Sequence, residues 1–301
     1  MAGAATYQAN IAEELEPGIR ELVGDGFKMH PEIFSKLVRV SDSDKAAEHI
    51  LEVNSLRLPS LKYEGQPIAT DKVIEGPKKN ISHTVWALAA GMSWEALRDE
   101  KYGRLKRTAR DLGRSMAELL NIKGHVIYND GFSGETAIDG VSVFSASHVN
   151  RRLGTTWSNL ASTDLTYTGI QDMFTNFMNM TDGTGKKIMM MPELLAIPPE
   201  YWVTAKQLFG SDKEPFIADN TINVLTGDKK LSVLISPYFN DTDAWYARSS
   251  LSDINAHFFF RERPMQDSWD DRSARVSYFA IIVRIGWGVS DAHGLFGSPG
   301  A

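Results

Sequence analysis

Residues 58–83 read LPSLKYEGQPIATDKVIEGPKKNISH. Pro59, Pro67 and Pro77 interrupt this stretch, and Gly65 and Gly76 loosen it. Proline is excluded from central strand positions because it cannot donate to the ladder. The stretch therefore predicts a projecting ribbon, with two extended legs joined by a polar tip. Its charges, Lys62, Glu64, Asp71, Lys72, Glu75, Lys78 and Lys79, are of mixed sign. Val73, Ile74, Val85, Trp86 and Leu88 predict packing toward its base.

Just after the ribbon comes the clearest periodic signal in the chain. Leu105, Ala109, Leu112, Met116 and Leu119 recur at helical spacing and form one apolar stripe. Arg104, Arg107, Asp111, Arg114 and Glu118 occupy other faces. The spacing predicts a helix from Ser93 or Asp99 to Tyr128, about 40 Å long at 1.5 Å per residue. Ser93 is its candidate cap. A polar ribbon carried by a stiff rod is suited to contact between subunits.

Further out the pattern is mixed. A short helix is expected over Glu13–Gly24, with Ile19, Leu22 and Val23 on one face and Gly24 and Gly26 ending it. Another is expected over Pro31–Val40. Val141, Val143 and Phe144 predict a short strand, and Arg151–Thr163 reads as irregular. Thr166–Asn179 and Tyr201–Phe209 predict helices, and Lys187–Met191 a buried strand. Two strands are expected around a Thr226–Lys229 turn, and another begins at Trp245 and Tyr246. Phe258–Arg263 and Ser273–Val289 predict long strands separated by an acidic turn at Asp267–Arg272. From Asp291 onward glycine and proline predict a tail with little further structure. The result is an α+β fold in which the long helix and the C-terminal strands share a platform.

The chain has 301 residues, enough for one large domain or two moderate ones. It has no cysteine, which excludes a disulfide scaffold and a thiolate metal site. The formal net charge of −6 supplies no overall electrostatic attraction for nucleic acid, though a local basic face remains compatible with it. No apolar run approaches the length of a membrane-spanning helix.

Readings of the residues as catalytic are weak. The seven histidines (His30, His49, His83, His125, His148, His257 and His293) include no pair at metalloprotease spacing. Ser145 and Ser147 lie near His148 but without a nucleophile elbow. DGTGKK at 182–187 lacks the leading glycine and trailing hydroxyl of a phosphate loop. Asp241 and Asp243 read as turn residues above Trp245. No catalytic, cofactor or metal residue is assigned, and no enzymatic activity is expected.

Several segments, taken in order, carry a family likeness: the proline-rich ribbon, the long helix, FSASHVN (144–150), MMPELLAIPPEYWVTAKQLF (190–209), LSVLISPYFNDTDAWY (231–246) and AHGLFGSPGA (292–301). Together they resemble the major head subunit of Mu-like tailed bacteriophages and prophages. The resemblance implies the tailed-phage major capsid protein fold, Hong Kong ninety-seven-like. It implies an N-terminal arm (1–55), an extended loop (56–86), a peripheral domain with a spine helix (87–136 and 253–301) and an axial domain (137–252). It further implies hexamers and pentamers in an icosahedral shell around double-stranded DNA, assembled in the bacterial host cytoplasm. The implied partners are a portal protein, a separate scaffolding protein and a decoration or cement protein, with no membrane contact. In some relatives lysines form autocatalytic crosslinks, for which Lys72, Lys78 or Lys79 would be the donors. The ribbon charges Lys62, Glu64, Asp71, Lys72, Glu75, Lys78 and Lys79 are expected to meet Arg104, Asp111, Arg114 or Glu118 of a neighbouring copy. The alternatives are a cellular compartment shell of the same fold, resembling encapsulins, and an unrelated soluble hydrolase.

Overall fold

The computed structural model describes residues 17–53, 55–73, 75–93, 95–96, 103–150, 152–211, 213, 222–223, 225, 231–271 and 273–301. Helix α1 spans 17–29. Its expected onset before Pro17 lies outside the described residues, as do Val224, the Thr226–Lys229 turn and Arg272. Gly24 and Gly26 do not end α1, which runs through both. At Gly26 close contact with the Arg110 backbone on the long helix overrides the low helix propensity. Pro31–Val40 holds only a 3-10 turn (Phe34–Lys36) before strand β1 (Arg39–Asp42).

The long helix α2 covers Gly103–Asn129, 27 residues and thus about 40 Å. Residues 97–102 are not described, so the expected onset near Asp99 lies outside. Ser93 closes a strand, yet its hydroxyl does accept the Ala96 N–H at 3.3 Å. Leu105, Ala109, Leu112 and Met116 are buried as the periodicity requires. The stripe continues into two buried polar side chains. Asn121 accepts the N–H groups of Ile33 (2.9 Å) and Phe34 (3.1 Å) and donates to the Pro31 carbonyl (2.9 Å). It thereby caps the 3-10 turn, whose own N-cap side chain makes no such bond.

Two four-stranded sheets organise the chain. The first has the order β1-β10-β11-β4, with β4 at Thr84–Ser93, β10 at Ala256–Asp271 and β11 at Val276–Val289. The acidic stretch expected to turn at Asp267 instead continues β10 as far as Asp271, where it pairs with Val276. The second sheet has the order β12-β9-β7-β8. It comprises β7 (Leu194–Ile197), β8 (Ser232–Ile235), β9 (Trp245–Arg248) and β12 (Leu295–Ser298). A strand over Lys187–Met191 does not form: Met189 is 82% exposed with φ 57°, and β7 starts at Leu194. The C-terminal tail is structured after all, with β12 fully buried against β9. The last residues thus sit in the second sheet and not with the long strands. Val141–Phe144 forms no strand beyond a bridge from Thr136 to Ser142. The irregular stretch after it holds a hairpin of β5 (His148–Asn150) and β6 (Thr155–Trp157).

Strands β7 and β9 are buried on both faces, and their alternation feeds two cores. Leu194, Ala196 and Tyr246 join the core under α2 and the first sheet. Leu195, Ile197, Trp245 and Ala247 join the core under helices α3 (Tyr167–Asn179) and α4 (Trp202–Gly210). Helix α3 begins as its sequence predicts, with the Thr166 hydroxyl accepting the Gly169 N–H at 3.1 Å. His125 ties α2 to the second sheet: its Nδ1–H donates to the Asn121 carbonyl (2.6 Å), and its Nε2 accepts the Ser236 hydroxyl (2.8 Å).

Candidate functional site

The ribbon is a two-stranded sheet. β2 (Ala47–Val53) pairs antiparallel with β3 (Glu75–Ser82), so its legs begin earlier than residue 56 and the strand at Thr84 already belongs to the platform. Between the legs, residues 55–73 have no regular structure beyond a turn at Glu64 and Gly65. Leu58 (71%), Leu61 (77%), Tyr63 (62%) and Ile68 (74%) stand in solvent there. Four large apolar side chains thus stand in solvent within residues 58–68. The platform's own outer face adds Val85, Met265 and Trp269, all exposed.

Asp71 crosses the ribbon. Its carboxylate accepts the N–H groups of Arg57 (2.8 Å) and Lys72 (2.9 Å) and pairs with the Arg152 guanidinium. Arg152 also donates to the Ser55 carbonyl at 2.9 Å, and the Ser55 hydroxyl bonds Asp182. The Asp71 pKa lies below the ordinary carboxylate range, chiefly because of the Arg57 N–H. Lys79 pairs with Glu135 (3.1 Å) and donates to the Thr136 carbonyl (2.6 Å). Two of the seven ribbon charges thus have partners in their own chain. Lys62, Glu64, Lys72, Glu75 and Lys78 are exposed and form no ion pair among the described residues. On α2, Arg104, Asp111, Arg114 and Glu118 are exposed along one line, with Asp111 3.9 Å from Arg107.

At the foot of the ribbon lies a cavity of about 510 Å³, which Glu52 and Ser55 of the ribbon help to line. Trp157 is stacked there between two imidazoles, His148 at 4.7 Å and His293 at 4.2 Å between ring centres. His293 donates from Nδ1 to Asp291 (2.6 Å) and from Nε2 to the Thr181 carbonyl (3.0 Å). Burial opposes its protonation, but the Asp291 carboxylate and the Thr181 carbonyl outweigh this and raise its pKa above the ordinary value. His148 meets Asp139 at Nδ1 (2.7 Å) and Asn159 and the Val143 carbonyl at Nε2 (3.1 and 3.2 Å).

This arrangement bears on the catalytic alternatives. Both His148 nitrogens face these partners, while Ser145 and Ser147 bond each other at 3.3 Å. DGTGKK is a turn built on Asp182, which accepts the N–H groups of Thr184 and Lys186, both at 2.9 Å. Asp241 accepts the Asp243 N–H at 3.0 Å in a turn above fully buried Trp245. Among the described residues no group of three or more candidate ligands could hold a metal ion, and no helix is long and apolar enough to cross a membrane. Sequence reasoning missed Arg152, Trp157 and the His293–Asp291 pair. Arg152 and Trp157 meet partners far away along the chain; His293 and Asp291 are two residues apart, but a lone D-x-H has no signal of its own in the sequence.

A sequence model of the family described as phage capsid protein matches residues 77–296. Among curated proteins no sequence matches the chain. Solved structures share its fold. A virus-like particle from Pyrococcus furiosus superposes with a TM-score of 0.58 at 9% identity, over 94% of this chain and 98% of the other. The capsid of Myoviridae phage XM1 gives 0.55 at 14% identity, over 88% and 90%. A structure of Mycobacterium phage Patience gives 0.61 at 9% identity, over 95% and 87%.

Proposed function

The chain belongs to the phage capsid protein family, with the Hong Kong ninety-seven-like α+β fold, and from this we propose that it is the major subunit of an icosahedral head shell. In this reading copies join as hexamers and pentamers around double-stranded DNA, in a Mu-like tailed phage or prophage. The shell forms in the bacterial cytoplasm with portal, scaffolding and decoration proteins as partners. The segment before Ala47 acts as the arm, the ribbon from Ala47 to Ser82 as the extended loop, α2 as the spine and the second sheet with α3 and α4 as the axial domain.

One observation carries the reading: the apolar ribbon tip at Leu58, Leu61, Tyr63 and Ile68 is exposed on the single chain. Ring contacts are heterologous, so a projecting element of one copy meets a different surface of the next. Lys62, Glu64, Lys72, Glu75 and Lys78, unpaired among the described residues, set the register against Arg104, Asp111, Arg114 and Glu118 of that neighbour. Each exposed pair contributes at most about 1 kcal/mol, so repetition around the shell is what makes them count.

The test is negative-stain microscopy with light scattering of the purified protein. Rings or shells are expected, and Leu61→Ser with Tyr63→Ser is expected to leave folded, unassembled subunits. Normal shells from that variant would remove the ribbon from the assembly. The similarity to a virus-like particle keeps a second reading, a cellular compartment shell. Packaged protein cargo in place of DNA would favour it.

A further inference from the structure

Most strand edges in this chain are guarded. An edge presents unpaired N–H and C=O groups, and short length, charge, proline, a bulge or a cover keeps other strands away. β1 is four residues long and carries Arg39 and Asp42, the latter paired with Arg263 at 2.9 Å. Beyond β1 the open side of β10 holds Pro264, two register shifts and a run of charges. β8 is four residues long, and β12 is bridged by Leu160. The ribbon strands are charged, and β3 contains Pro77. β4 has none of these guards. It is ten residues long, TVWALAAGMS, with no charge and no proline. All of it pairs one to one with β11 without a bulge. Among the described residues no strand pairs with its other side. Thr84, Val85, Ala87, Leu88, Ala89 and Gly91 are exposed.

An occupant of this edge has to bring a strand as regular and as neutral. The ribbon tip of another copy does not: Pro59 and Pro67 have no N–H to donate, and Lys62, Glu64, Asp71 and Lys72 would bring charge to a neutral edge. β4 itself matches. Turned about a two-fold axis at Leu88, it meets its own copy antiparallel. Trp86 then stands opposite Ala90, Val85 opposite Gly91 and Ala87 opposite Ala89, so each large side chain faces a small one. Lys123 of α2 lies 4.2 Å over the Trp86 ring, which places Trp86 and Leu88 on the face under α2 and Val85 on the other. No charged side chain of the strand has to leave water.

We propose that β4 pairs antiparallel with β4 of a second copy about a two-fold axis at Leu88, so that the two four-stranded sheets continue into each other. Such a contact is isologous, with the same patch used by both copies. It is therefore distinct from the heterologous ribbon contacts within a ring. It rests on the shell reading only for its place, as a seam between one ring and the next. The pairing itself requires two copies and no shell.

The chain has no cysteine, so a single introduced thiol reports this contact without background. Leu88→Cys lies on the axis, where Cα atoms across the pair are about 5 Å apart and within disulfide reach. Val85→Cys is the control: Val85 is 62% exposed against 48% for Leu88, but its counterpart in the pair lies about 20 Å away. Under oxidised glutathione the full chain with Leu88→Cys is expected to form disulfide-linked dimers at least about 10-fold faster than Val85→Cys. Adding Ala87→Lys and Ala89→Lys sets like charges opposite each other across the axis and is expected to bring that rate down to the control's, with the melting temperature unchanged. Equal rates at positions 88 and 85 would overturn the proposal whatever the lysine variant does. So would Leu88→Cys copies that link to admixed Leu61→Cys copies and not to one another. Shell formation is scored by microscopy on the same samples before oxidation. Dimers linked at position 88 without shells would strike the shell reading and support the strand pairing.

Discussion

The Val23 carbonyl oxygen occupies the space where a side chain on Gly113 would begin: a Cβ there would lie 2.0 Å from it. Together with Gly26 against Arg110, this brings α1 and α2 into backbone contact. Alanine ordinarily stabilises a helix interior by about 1 kcal/mol over glycine. At Gly113 the sign reverses. We expect Gly113→Ala to cost about 2–4 kcal/mol in urea unfolding, by forcing α1 off the long helix. Gly24 also lies within α1 but has nothing within 4 Å of its Cβ position. Gly24→Ala should therefore be neutral or stabilising by up to about 1 kcal/mol, and equal losses at both sites would refute the contact.

Acid should loosen the molecule through buried His125 and half-buried His257. Burial depresses His125 to about 4, and burial together with the Arg39 charge depresses His257 to about 4. A depressed histidine contributes stability that is present above its unfolded pKa, near 6.5, and is lost as pH falls toward the folded value. For His125 the difference is on the order of 3 kcal/mol. Denaturant melts should show stability dropping between pH 6.5 and 4.5, with a shallower drop for His125→Gln. A flat wild-type profile over that range would exclude the effect.

The His293–Asp291 pair has the opposite sign. His293 is raised, so its contribution is complete below about pH 6.5 and fades as pH rises through the folded pKa. The Asp291 side chain is 43% exposed, so water screens the pair and about 1 kcal/mol is expected. Proton NMR of the imidazole should place the His293 midpoint above 6.5 in wild type and lower in Asp291→Asn. Trp157 fluorescence should follow the same titration, since its ring rests on His293. Identical midpoints in the two proteins would disprove the assignment.

Asp71 should act on the ribbon and little else. Asp71→Asn removes the carboxylate charge that Arg152 meets and weakens the acceptor shared by Arg57 and Lys72. Limited proteolysis within 55–73 is expected to speed up several-fold. Global melting should change little, because asparagine at this position still offers the Arg152 guanidinium a carbonyl oxygen. Unchanged cleavage would mean that other contacts hold the ribbon in place.

The elements legible in the sequence are those whose signal is local. Leu105, Ala109, Leu112 and Met116 declare α2 because 3.6-residue periodicity places them on one face, and Thr166 declares the start of α3 because a cap acts within one turn. The ribbon was legible through its prolines, but its legs at Ala47–Val53 were not. The inward positions of β3 alternate in burial, with Lys79 half-buried and Ile81 buried between exposed Lys78, Asn80 and Ser82, but a lysine among them breaks the apolar–polar alternation that a sequence can show. β12 escaped for the opposite reason: Leu295–Ser298 is too short to announce itself and becomes a strand by pairing with β9.

From the sequence alone came the family likeness, the rod, the polar ribbon and the absence of a convincing catalytic motif. The tertiary structure alone decided that Gly26 and Gly113 are contact points between helices. It also decided that Arg152 tethers the ribbon tip and that Trp157 lies between His148 and His293. Periodicity and caps act over a few residues and are written in order along the chain. Backbone contact, charge pairing and ring stacking depend on distance in space, and the groups that make them lie far apart along the chain, as Trp157 and His293 do at 136 positions.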